Sequence, residues 1–99
     1  MSRIDVQASR AGRGWVISVT VSEDDTSRTF EVRVTAEELA RFDPGAADPT
    51  ELVHRSFEFL LAREPKESIL SSFGLSTIAR YFPEYEREIR SRGRPGVPD

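Results

Sequence analysis

The sequence predicts an α+β fold: an N-terminal three-stranded antiparallel meander, then three to five short helices packed on one face of the sheet. Three observations predict it. Three consecutive segments alternate apolar and polar residues with period two, the pattern then switches to helical spacing at a capping signature, and the links between the first three segments are too short for crossovers. Strands first and helices afterwards is the α+β order.

In the first strand, residues 3–8, Ile4, Val6 and Ala8 share one side, with Asp5 and Gln7 opposite. The second, residues 15–21, turns Trp15, Ile17, Val19 and Val21 inward and Ser18 and Thr20 outward. The third, residues 28–35, sets Phe30, Val32 and Val34 against Thr29, Glu31 and Arg33. β-Branched and aromatic residues, common in strands, dominate all three. A glycine-bearing link (9–14) and an acidic one (22–27) are short enough for hairpins, and such a meander has one wet and one dry face.

The helical half begins at Thr35-Ala36-Glu37-Glu38, a capping box in which Glu38 reaches back to the threonine. The short helix carries Leu39 and stops near Phe42, before Asp43-Pro44-Gly45. Asp48 caps a second helix with Pro49 at its first position, running over 49–62. Val53, Phe57, Leu60 and Leu61 form its apolar stripe, widened by Leu52 and Phe59. Pro65 ends it, because the residue before a proline is disfavoured in helical geometry. A short helix over 67–73 then offers Ile69, Leu70 and Phe73, with Gly74 as a left-handed C-cap. Ser76 caps a helix carrying Ile78, Tyr81 and Phe82, and Pro83 either kinks that helix or opens another through Tyr85 and Ile89. Residues 1–90 read as a single domain and residues 91–99 as a disordered tail.

The strings Phe59-Leu60-Leu61, Arg63-Glu64-Pro65-Lys66-Glu67-Ser68-Ile69-Leu70 and Ile78-Ala79-Arg80-Tyr81-Phe82-Pro83-Glu84-Tyr85-Glu86 resemble a family of small bacterial proteins with no assigned function. The resemblance implies a bacterial, cytoplasmic source. It supplies no chemistry and transfers no functional residue.

Composition narrows the function classes. With 99 residues, 37% hydrophobic and 31% charged, the chain is sized for one modest core and a shallow site. It has no cysteine, hence no disulfide, thiol nucleophile or cysteine-ligated metal, and this fits a cytoplasmic protein. No apolar signal region opens the chain, and its densest apolar stretch, residues 57–62, contains Glu58 and is too short to span a bilayer. A net charge of −3 does not draw nucleic acid to the whole surface, so such a role needs a local basic patch. Lys66 is the one lysine among 14 basic residues; since the arginines are scattered, base-composition bias explains this better than planar anion recognition.

No catalytic, cofactor or metal site is expected. The lone His54 lacks a nucleophile elbow or a ligand cluster around it and reads as a solvated or packed helix residue. Glu23-Asp24-Asp25 lacks the alternation of a calcium loop and reads as a hairpin tip. Gly12-Arg13-Gly14 joins two strands instead of opening a helix, so it is no phosphate cradle. Residues 69–82 invite a helix-turn-helix reading, but Pro83, the apolar Tyr81 and Phe82, and Glu84, Glu86 and Glu88 weigh against it.

Two strings carry the interaction reading. Arg63 and Lys66 could act as donors at a partner-docking corner or pair locally as a helix stop. Tyr81, Phe82 and Tyr85 would form an interface patch if exposed and part of the core if buried. The first and third strands offer sheet edges, so a homodimer through an edge or an unknown protein partner is expected. The favoured function is a small non-catalytic protein-interaction or regulatory module. The alternative is a nucleic-acid accessory role using Arg10, Arg13 and the basic tail.

Overall fold

The structure, a computed structural model, describes residues 2–92. Strands β1 (Ser2–Ala11), β2 (Gly14–Glu23) and β3 (Thr26–Val34) form the expected antiparallel meander. They are followed by helices α1 (Ala36–Phe42), α2 (Thr50–Leu61), α3 (Ser76–Tyr81) and α4 (Tyr85–Arg92). A fourth strand, β4 (Ser72–Gly74), lies parallel to β3, giving the sheet order β1-β2-β3-β4.

The strands are longer than their alternating cores because the hairpins close through two residues each. Gly12 takes φ 60° in the first turn and Asp24 φ 52° in the second. A positive φ at the first of two central residues fits the turns whose twist matches flanking strands. Gly14 is required for a different reason: a Cβ there would collide with the Val34 carbonyl oxygen of β3. Facing pairs then run in register, Val19 beside Val6 and Phe30, Ile17 beside Ala8 and Val32.

The dry face is as anticipated. Trp15, Ile17, Val19, Val21, Phe30, Val32 and Val34 are all buried beneath the helices, while Ile4 and Val6 on the edge strand are half-buried and Ala8 is exposed. Helix α2 supplies Leu52, Val53, Phe57, Phe59 and Leu60 to this core. Phe57 packs between Phe30 and Phe73, with ring centroids 5.1 and 6.2 Å away. A second aromatic chain, Phe42-Tyr85-Phe59-Phe82, packs α4 onto α1 and α2 with all three ring pairs edge-on.

The capping box at α1 holds, whereas α2 starts one residue later than expected, with Pro49 as its N-cap and not its first helical residue. Thr35 and Glu38 exchange both bonds of the capping box. Asp48 accepts from the Thr50 amide at 2.9 Å, which satisfies a free donor at the start of α2 and holds the Asp48 carboxyl below its usual range.

The predicted helix over 67–73 is not formed. One 3₁₀ turn, Lys66–Ser68, gives way to extended backbone at Ile69 and then to β4. Ser71 and Ser72 are weak helix formers, and extension lets the Ser71 carbonyl accept from the Glu31 amide, and the Leu75 amide donate to Arg33. Gly74 is therefore a strand residue, not a left-handed cap. Ser76 does not cap α3 with its side chain either; its amide and hydroxyl both donate to Glu38 Oε2. Pro83 separates α3 from α4 instead of kinking one helix. Since α4 extends to Arg92, the expected tail boundary at residue 91 falls inside a helix; residues 93–99 lie outside the described residues.

Candidate functional site

A pocket of about 420 Å³ opens where α2 ends, between the 66–70 segment, β4 and α3. It lies where the chain leaves the 3₁₀ turn, extended at Ile69, and crosses to the sheet edge at β4. Leu60, Ile69, Phe73 and Ile78, all buried, form its floor. Leu70 and Tyr81 stand at its rim, 52% and 69% exposed, and are the large apolar side chains most open to solvent among the described residues. Phe82 closes one side.

The residues of the lining with polar side-chain groups are Glu64, Ser68, Thr77 and, at the rim, Tyr81. Such a volume lies in the range typical of ligand sites, about 300–1,000 Å³, which are mostly apolar with a small number of placed polar groups. The lining here can exclude water from an apolar group.

The arginine-lysine corner beside the pocket is turned inward. Arg63 donates to Glu84 at 3.1 Å and to Glu88 at 2.9 Å, and its guanidinium lies 3.7 Å above the Phe59 ring, so it ties the end of α2 to α4. The Glu84 carboxyl is held below its usual range, first by its own backbone amide and then by Arg63. Lys66 is 4% exposed and bonds Glu67 at 2.8 Å and Glu23 at 3.2 Å, clasping the β2–β3 hairpin to the 3₁₀ turn. Its ammonium is shifted upward by the bond to Glu67, whose carboxyl is correspondingly lowered. Both residues thus serve as internal ties.

The aromatic string divides. Tyr81 is exposed, Phe82 half-buried and Tyr85 wholly buried, so burial removes Tyr85 from the surface patch the sequence offered. The Tyr85 hydroxyl lies 2.7 Å from Ser56 Oγ, which is 2.7 Å from the Leu52 carbonyl. Because that carbonyl can only accept, the serine donates to it and the tyrosine donates to the serine. Burial raises the phenol's affinity for its proton well above the usual range.

Arg10 and Arg13 lie at the opposite end of the meander. Both are exposed; Arg10 lies 4.9 Å above the Trp15 ring. The helix-turn-helix reading fails, since the segment before α3 is a strand. His54 is half-buried on α2, its Nδ1 3.8 Å from Glu58, and among the described residues no group of three or more histidines and carboxylates is disposed to hold a metal. Of the two expected sheet edges, β3 is covered over Glu31–Arg33 by β4, and Arg28 beside it donates to the Glu67 carbonyl. The edges of the four-stranded sheet are thus β1 and the three-residue β4.

The pocket itself was not expected from sequence. Its one sequence signal is Ser71-Ser72 following Ile69-Leu70, a poor continuation for a helix. Compared with known proteins, the chain matches no protein-family model, no curated protein and no solved structure. No helix among the described residues is long and apolar enough to cross a membrane.

Proposed function

We propose that the protein is a non-catalytic interaction module that seats an apolar side chain of a partner polypeptide in the pocket between α2, β4 and α3. The observation that carries this reading is the placement of Leu70 and Tyr81, the most exposed large apolar groups, on the rim of the same cavity. Apolar surface that continues outward from a pocket favours an occupant larger than the pocket, and a polypeptide satisfies this where a small ligand does not. The resemblance of residues 57–86 to a bacterial family adds no chemistry to this reading.

The test is a titration of ¹⁵N-labelled protein with N-acetyl-phenylalanine amide. Amide shifts should concentrate at Ile69, Leu70, Thr77 and Tyr81 and vanish in a folded Thr77→Trp variant, whose indole fills the cavity. Absence of localised shifts up to tens of millimolar rejects the proposal. The nucleic-acid alternative rests on Arg10 and Arg13, which no carboxylate among the described residues engages in an ion pair. It requires that a low-salt oligonucleotide titration move the resonances flanking residues 10–13, with binding that weakens steeply as salt is added.

A further inference from the structure

We infer that the partner segment carries a Lys or Arg within one or two positions of its apolar anchor, and that Glu64 reads this cation. The inference rests on the pocket being a docking site and specifies what docks there. Glu64 is the single charged residue in the pocket lining, and it is half-buried. Its neighbours in sequence include the two cations best placed to neutralise it, Arg63 and Lys66, and both are committed elsewhere. Arg63 holds Glu84 and Glu88, while Lys66 holds Glu23 and Glu67. Arg80, on α3 beside Tyr81, is exposed and does not line the cavity.

The four carboxylates around this corner are thus each matched to a basic group, and Glu64 alone faces the cavity without one among the described residues. A carboxylate left half-desolvated beside apolar walls disfavours an anionic occupant and favours a cationic one. In an extended segment the next side chains lie about 3.3 Å per residue along the backbone, so a basic residue adjacent to the anchor reaches a carboxylate in the pocket wall. Tyr81 at the rim adds an aromatic face that a guanidinium or ammonium can cover.

The experiment compares three capped dipeptides, N-acetyl-Phe-Lys, N-acetyl-Phe-Gln and N-acetyl-Phe-Glu amides, titrated into wild type and a folded Glu64→Gln variant by NMR. In wild type the lysine peptide should bind about three- to fivefold tighter than the glutamine peptide, the size typical of a partly exposed ion pair, and the glutamate peptide weaker than both. In Glu64→Gln the three affinities should converge, with the glutamine peptide unchanged. Added salt should narrow the wild-type difference. Equal binding of the lysine and glutamine peptides to wild type overturns the charge inference and leaves the docking site standing. A charge preference that persists in Glu64→Gln overturns the role of Glu64. Failure of all three peptides to bind rejects the docking site itself.

Discussion

Removing the Tyr85 hydroxyl and removing its acceptor should have unequal effects on stability. In Tyr85→Phe the ring keeps its place against Phe42 and Phe59, and Ser56 still donates to the Leu52 carbonyl. One neutral hydrogen bond is lost, which costs about 1 kcal/mol. In Ser56→Ala the tyrosine O–H remains, 0% exposed, with its acceptor gone. Stranding a buried donor costs about 1–3 kcal/mol, offset by roughly 0.5 kcal/mol because alanine is the better helix former on α2. The double variant leaves nothing unpaired and should be less destabilised than the sum of the two singles. Urea unfolding followed by circular dichroism, with unchanged slopes, measures all three, and about 1 kcal/mol corresponds to a Tm drop of roughly 4–8 °C in a domain this size. Strict additivity, or a Tyr85→Phe protein as stable as wild type, would show that the bond contributes nothing, and a Ser56→Ala loss no larger than that of Tyr85→Phe would refute its assigned direction.

Three other outcomes are expected. Gly14→Ala should cost about 1–3 kcal/mol, because the new Cβ forces β2 away from the Val34 carbonyl; chemical denaturation checks it. Thr35→Ala should cost about 1 kcal/mol and Glu38→Ala about 2 kcal/mol, since Glu38 also holds the start of α3 through Ser76; equal effects in thermal melts would show the Ser76 contacts to be inert. Glu67, Glu84 and Glu86 have folded-state proton affinities below the ordinary carboxyl value of 4.5, owing first to Lys66, to a backbone amide and to Arg41 respectively. Their contribution is present above pH 4.5 and lost as pH falls through the lower folded values, so Tm should decline there. For Tyr85 the sign reverses: burial favours the protonated phenol, so its contribution is complete below the ordinary value of 10.0 and disappears above it. Wild type should therefore lose stability more steeply than Tyr85→Phe beyond pH 10, and parallel profiles would contradict this.

The meander could be read from the sequence because each of its strands has one wet face, which writes burial into every second residue. Helix α1 could be read because Thr35 and Glu38 satisfy each other locally. The segment from Lys66 to Ser76 could not. A three-residue parallel strand is too short to display a period, and its partners on β3 are some forty positions away. Ile69 and Phe73 do reach the core, but from extended backbone, which leaves Leu70 at the surface. The same misreading concealed the pocket, whose shape depends on that extension. Arg63 and Lys66 stood out as an unusual string; which carboxylates they meet is decided by the packing of α4 and the β2–β3 hairpin, information no local window contains.

The short strand beside β3 also limits how copies of this molecule can stack. A sheet open at both sides can add protomers indefinitely, each offering the next a fresh row of amides and carbonyls. Here the far edge is β4, only three residues long, so growth along the hydrogen-bonding direction has a ten-residue face at β1 and a much shorter one at β4. Strand-to-strand association is therefore best served by β1 against β1, which closes a pair, because the three-residue β4 edge gives a fibre little to continue on.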